Sequence, residues 1–359
     1  MSVRLEASTV SRDRPPQPAS CSSLLDRPSR HGGGTVRPLE PLWAFLATGL
    51  LTLASLSSTA FAQVDDEIFG PDDGTDAMLR ASIEAAPTLA ARRTEIEIAP
   101  ALEIGRIPAI AGDQDGNIYI IQRDPDVDSI IVTNSEGTVL RSFGKGLFEY
   151  AHSIRLDADG NVWAVDAKTS MIYKFSPLGE LLLDISVGDV PDIERIQRAA
   201  ADIAFGPGGL IYVADGYANG RVVVYDASGR KLRQWGRRGT GPGEFNLPHG
   251  IAVGSDGTVY VADRENGRIQ LFTPEGDYLR EWRYGGRVMS LAFAPDGVLY
   301  VSAEPKGVSM TESYLLRVDL SDGSFTGKVQ AFAHQLGIGA DGALLPGSLT
   351  GPIVVYRLP

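Results

Sequence analysis

Thiol chemistry is almost absent from this chain. One cysteine, Cys21, occurs in 359 residues, and it lies too far upstream of the first apolar run to be a lipidated cysteine. Beyond it there is no disulfide, no thiolate metal site and no cysteine nucleophile, a pattern that suits a bacterial periplasm. Histidine is nearly as scarce, with four in all, and His31 sits in the same N-terminal stretch as Cys21. Positive charge is also short. Residues 1–62 contribute +2, six arginines against four acidic residues, which leaves −14 on the rest of a chain whose formal charge is −12. That balance argues against nucleic acid as a partner.

Residues 1–62 read as an export signal or N-terminal anchor. Arg4, Arg12, Arg14, Arg27, Arg30 and Arg37 precede the apolar run LWAFLATGLLTLASL, and Ala60 and Ala62 frame a signal-peptidase-type cut before Gln63. The expected location is periplasmic or secreted, with membrane attachment only if this segment stays uncleaved. Residues 63–93 are acidic and alanine-rich and read as a linker or arm, in which DAMLRASIEAAPTLAARR can form at most a short helix.

From residue 94 to 359 one pattern dominates. An apolar strand meets an Asp-Gly or Gly-Gly turn, a strand such as VYVAD returns, a polar corner leads to a strand such as RIQLF, and a last strand such as YLREW follows. The runs alternate with period two and are cut by glycine too often for helices. Four short strands every 40 to 50 residues are the signature of propeller blades. The turns predict an all-β, six-bladed β-propeller of four-stranded antiparallel blades, starting near Pro108, His152, Ala201, His249, Met289 and His334. The last blade is one strand short, and TEIEIAPALE can supply that strand, closing the ring and hiding its edge. QWGRRGTGPGEFNLPHGIAV resembles the NHL repeat of six-bladed propellers, a likeness of fold that assigns no function.

The three remaining histidines occupy one register. His152, His249 and His334 each stand eight residues before the second turn glycine, and the six slots read Pro, His, Ala, His, Met, His. Inheritance among repeats does not by itself empty every second blade, whereas a threefold site on the axis requires it. Three neutral imidazoles without carboxylate or thiolate suit zinc or another late first-row ion, with an open fourth position; Met289 keeps copper in view. The returning strands end at Arg123, Ala167, Gly216, Arg264, Glu304 and Leu349, with Tyr217 one step past Gly216, so two arginines and a tyrosine can join the histidines at one mouth. Blander roles compete: inner-strand capping for His249, ion pairs with Asp124, Asp126, Asp263 or Glu265 for the arginines, and packing for Tyr217. Asp166, Asp215 and Asp263 read as blade-corner acceptors and the Asp-Gly pairs as turn chemistry.

At these residues the chain resembles the peptidyl-α-hydroxyglycine α-amidating lyase family. The matching strings are FGKGLFEYAHSIRLDADGNVWAVD, IYVADGYANGRVVVYDASGRKLRQWG and, most specific, NLPHGIAVGSDGTVYVADRENGRIQLF, within roughly residues 106–358. The resemblance implies a zinc site at His152, His249 and His334, a catalytic Tyr217 and active-site arginines Arg123 and Arg264. It further implies a calcium ion held by the carbonyls of Ile110 and Ile154 and by an aspartate, a position that here is Gln335. Ala218 and Tyr260 stand at two of the family's disulfide positions. The implied reaction releases an amide and glyoxylate from a peptidyl- or acyl-α-hydroxyglycine, with Arg123 favouring the tyrosinate and Arg264 pairing with the substrate carboxylate. Two other classes stay open: a non-catalytic NHL-type scaffold in the cell envelope, and a propeller lactonase or hydrolase, which would want carboxylate or amide ligands on the axis. A monomer is the expected state.

Overall fold

The computed structural model describes residues 74–99, 102, 104–188, 197, 199–306, 310–349 and 351–359. The export-signal reading falls outside them. No helix among the described residues is long and apolar enough to cross a membrane.

Six four-stranded antiparallel sheets form the ring. Their first strands are Ala109–Gly112, Ala151–Leu156, Asp202–Gly206, Pro248–Val253, Arg287–Phe293 and Leu336–Ile338. Each touches the next, and the sixth touches the first, so these strands line a central channel. Arg92–Ile96 pairs antiparallel with Ile353–Arg357, Thr94 opposite Val355, and supplies the missing outer strand of blade 6. The closing strand expected from TEIEIAPALE is therefore present, beginning two residues earlier.

Period-two alternation explains the core. In the second strand of blade 3, Ile211 and Val213 enter the cluster shared with blade 2. Tyr212 and Ala214 enter the one shared with blade 4. Successive side chains point to opposite faces, and both faces of each blade are covered by neighbours, so strands such as LIYVAD read as nearly continuous apolar runs. The same arrangement recurs between the remaining blade pairs. Turns follow the local chemistry. Asp113 Oδ1 accepts from the amides of Asp115 and Asn117, and Gly116 takes φ +81°.

The arm carries a helix, Asp76–Ala85. Leu79 and Ile83, one turn apart, enter the cluster between blades 4 and 5, and Asp76 accepts the Lys306 amide at 2.8 Å. Leu79 passes so close to Gly286 that a β-carbon there would lie 2.4 Å from its Cδ2. Helix and propeller are thus packed together through apolar contacts.

Candidate metal centre

Inner-strand geometry aims the histidines. His152 stands where the pairing of Ala151 with Asp166 shifts to that of Ser153 with Val165. His249 stands at the same shift between Pro248 and Gly250. One extra residue in a strand bends it and re-aims a side chain. His334, two residues before the first strand of blade 6, joins them. The rings lie 4.6 to 5.0 Å apart centre to centre, with one nitrogen from each within 4.8 Å of the others. His152 and His249 are fully buried and His334 nearly so.

Second partners set the tautomers. His152 Nδ1 lies 2.6 Å from the Ala201 carbonyl oxygen and His249 Nδ1 2.7 Å from that of Met289. A carbonyl only accepts, so each Nδ1 carries the hydrogen and each Nε2 presents a bare lone pair. Both lone pairs face the Tyr217 hydroxyl, at 2.7 and 2.9 Å. One hydroxyl proton cannot serve both nitrogens. His334 Nδ1 is buried without a hydrogen-bond partner among the described residues. Converging imidazoles with more lone pairs than protons fit a cation, and the donor set fits a late first-row ion. Burial holds all three pKa values well below the ordinary histidine value, with neighbouring histidine and arginine charges adding to it. The ligands are therefore neutral at pH 7.

Tyr217 is buried, and burial pushes its pKa up. The charge of Arg264 and, less strongly, that of Arg123 oppose this, and Arg264 also hydrogen-bonds the phenol. Arg264 is itself buried and pairs with Glu265 at 3.0 Å. Arg123 donates through Nε to the Ala151 carbonyl and through Nη1 to the Tyr150 hydroxyl, both at 2.8 Å, and lies over the Tyr150 ring. Its Nη2 is buried with no partner among the described residues. The structure therefore gathers the three histidines, Tyr217 and both arginines.

Sequence reading missed Tyr150, whose hydroxyl also accepts from Gln197. Glu265 pairs with Arg264 as one of the expected ion-pair partners, but the sequence did not reveal that it also bridges to Arg287 at 3.1 Å and that its carbonyl accepts from Lys306 at 3.1 Å. Tyr150 lies two residues before His152, a weak signal. The others depend on contacts between blades that no spacing reveals.

Calcium does not fit the positions expected for it. Gln335 Oε1 already accepts the Ser290 hydroxyl at 2.8 Å and faces Arg155 Nη2 at 3.4 Å, while its Nε2 donates to the His249 carbonyl. A guanidinium beside the only side-chain oxygen of the set repels a second cation. Corner aspartates behave as read: Asp166 accepts the amides of Tyr150, Lys168 and Thr169, and Asp263 pairs with buried Arg268 at 2.7 Å.

The NHL repeat family matches residues 199–225 and 245–272. The chain is 31% identical over 240 residues to peptidyl-glycine α-amidating monooxygenase A of Xenopus laevis, covering 57% of this chain and 26% of that protein. It is 27% identical over 293 residues to a probable peptidyl-α-hydroxyglycine α-amidating lyase of Caenorhabditis elegans, covering 70% and 81%. The chain thus spans about a quarter of the length of the first curated relatives it matches. Among solved structures, a streptogramin B lyase superposes with a TM-score of 0.53 at 14% identity, over 75% of this chain and 98% of that one. At that identity the likeness is one of fold.

Proposed function

Because the chain is an NHL-repeat-type six-bladed β-propeller related to the peptidyl-α-hydroxyglycine α-amidating lyases, with a three-histidine cluster able to chelate a metal, we propose that it is a zinc-dependent carbon–nitrogen lyase. Its substrate is a peptidyl- or acyl-α-hydroxyglycine-like compound, split into an amide and glyoxylate. The observation that carries this reading is the Tyr217 hydroxyl held between His152 and His249.

In the net reaction the bond from the α-carbon to nitrogen breaks and the hydroxyl-bearing carbon becomes a carbonyl. One proton passes from that hydroxyl to the departing amide nitrogen. A single side chain that takes and returns it suffices, and the Tyr217 hydroxyl, within hydrogen-bond distance of His152 and His249, supports that role. Zinc would be held by the imidazoles of His152, His249 and His334 and would supply Lewis acidity that lowers the pKa of a substrate oxygen.

Contacts favour exchanging the arginine roles expected from the resemblance. Arg264 hydrogen-bonds Tyr217 and is the stronger influence toward the tyrosinate. Arg264 already pairs with the Glu265 carboxylate, whereas Arg123 pairs with no carboxylate among the described residues and its Nη2 is buried without a partner among them, the kind of donor a substrate carboxylate would satisfy. Glyoxylate release from an acyl-α-hydroxyglycine tests the reading. Wild type should release it, and Tyr217→Phe should fall by roughly 10²- to 10⁴-fold with zinc content unchanged. Full activity in Tyr217→Phe would sink the assignment. Export to the periplasm or medium is part of the same proposal and rests on residues 1–62.

A further inference from the structure

One layer along the channel from the histidines, a guanidinium bridges blades. Arg155, on the first strand of blade 2, reaches Asp202 of blade 3 with two nitrogens, Nη2 to Oδ2 at 2.6 Å and Nε to Oδ1 at 3.1 Å. Its Nη1 donates to the Leu336 carbonyl of blade 6 at 2.7 Å. Gln335, beside that carbonyl, accepts from Ser290 of blade 5 and donates to the His249 carbonyl of blade 4. The Gln335 amide donates to the Pro108 carbonyl of blade 1. Every blade is therefore joined at this level. Asp202 is fully buried, and the Arg155 side chain is 14% exposed, on the lining of a channel cavity of about 260 Å³.

We propose that the Arg155 guanidinium is the fixed cation of the channel, tying blades 2, 3 and 6 together where a bound calcium ion would otherwise be required, so that this propeller is calcium-independent. A planar, permanently charged fork suits the job, since it meets a carboxylate with two bonds and a carbonyl with a third. Without it, Asp202, Gln335 Oε1 and the Leu336 carbonyl would form a cluster of hard oxygens around one buried negative charge. That is the donor type calcium selects.

The test uses zinc-loaded full-length protein dialysed against calcium-free buffer, followed by calcium analysis and thermal unfolding with and without millimolar calcium chloride. Wild type should hold no stoichiometric calcium and melt at the same temperature in both buffers. Arg155→Ala should melt roughly 10 °C lower, as expected for a buried charge left unpaired in a domain of this size, and calcium should restore part of the loss. Stoichiometric calcium in wild type, or a wild-type midpoint raised several degrees by calcium, overturns the proposal. So does an Arg155→Ala protein that melts with wild type. If Arg155→Ala fails to fold, the wild-type measurements still decide.

Discussion

Acidification of the metal-free protein should expose the three histidines as a stability switch. Each is buried with its pKa well below 6.5, for which desolvation is the main cause. Below pH 6.5 the unfolded chain binds a proton at each of these positions and the folded chain does not. Stability is therefore fully present above that value and is lost as pH falls toward the depressed folded values. The unfolded imidazole is already half protonated at pH 6.5, so the first pH unit below costs up to about 1 kcal/mol per group, short of the limiting slope of about 1.4, and three groups cost up to about 3 kcal/mol between pH 6.5 and 5.5. Urea unfolding of metal-free wild type and of a His152→Gln, His249→Gln, His334→Gln triple variant isolates this contribution, because carboxylates titrate alike in both. Wild type should lose up to about 3 kcal/mol more than the variant over that unit of pH. Equal losses would refute the neutral, desolvated state on which the proposed metal centre depends.

Arg123→Lys should raise KM for a carboxylate-bearing substrate by roughly tenfold or more while leaving zinc content unchanged, because an ammonium cannot keep both existing contacts and offer a further planar donor; steady-state kinetics with metal analysis checks this. Asp263→Ala should destabilise the fold by about 3 kcal/mol in urea unfolding, since it strips one of two carboxylates from wholly buried Arg268, leaving Glu281, and also removes the acceptor of the Asn246 amide and the Asn266 side chain. Chelation should lower the unfolding midpoint of wild type and leave the triple histidine variant unmoved, as a ligand bound to the native state alone requires.

Much of this was legible in the chain. Turn glycines and period-two strands give the ring because both faces of every blade are buried, and the alternation of His152, His249 and His334 with Pro108, Ala201 and Met289 gives the threefold site. What spacing could not supply is side-chain direction. The histidines converge through one-residue shifts in pairing at His152 and His249, and a shift of that kind leaves no mark on composition. Which arginine hydrogen-bonds the Tyr217 hydroxyl was also hidden, since Arg123 and Arg264 hold equivalent places in their blades and differ in the neighbours that adjacent blades bring to them. Arg155 and Asp202 read as ordinary strand residues until six blades are closed around them. The helix at Asp76–Ala85 reads as part of an arm because only two of its apolar residues, Leu79 and Ile83, enter the core cluster.

Glyoxylate release measured while zinc is titrated into metal-free protein tests the central claim most directly. The account predicts that activity on an acyl-α-hydroxyglycine rises in proportion to added zinc, reaches its plateau at one equivalent per chain, and is absent from the triple histidine variant throughout. Activity indifferent to zinc, or a protein that binds one equivalent and releases no glyoxylate, would contradict it.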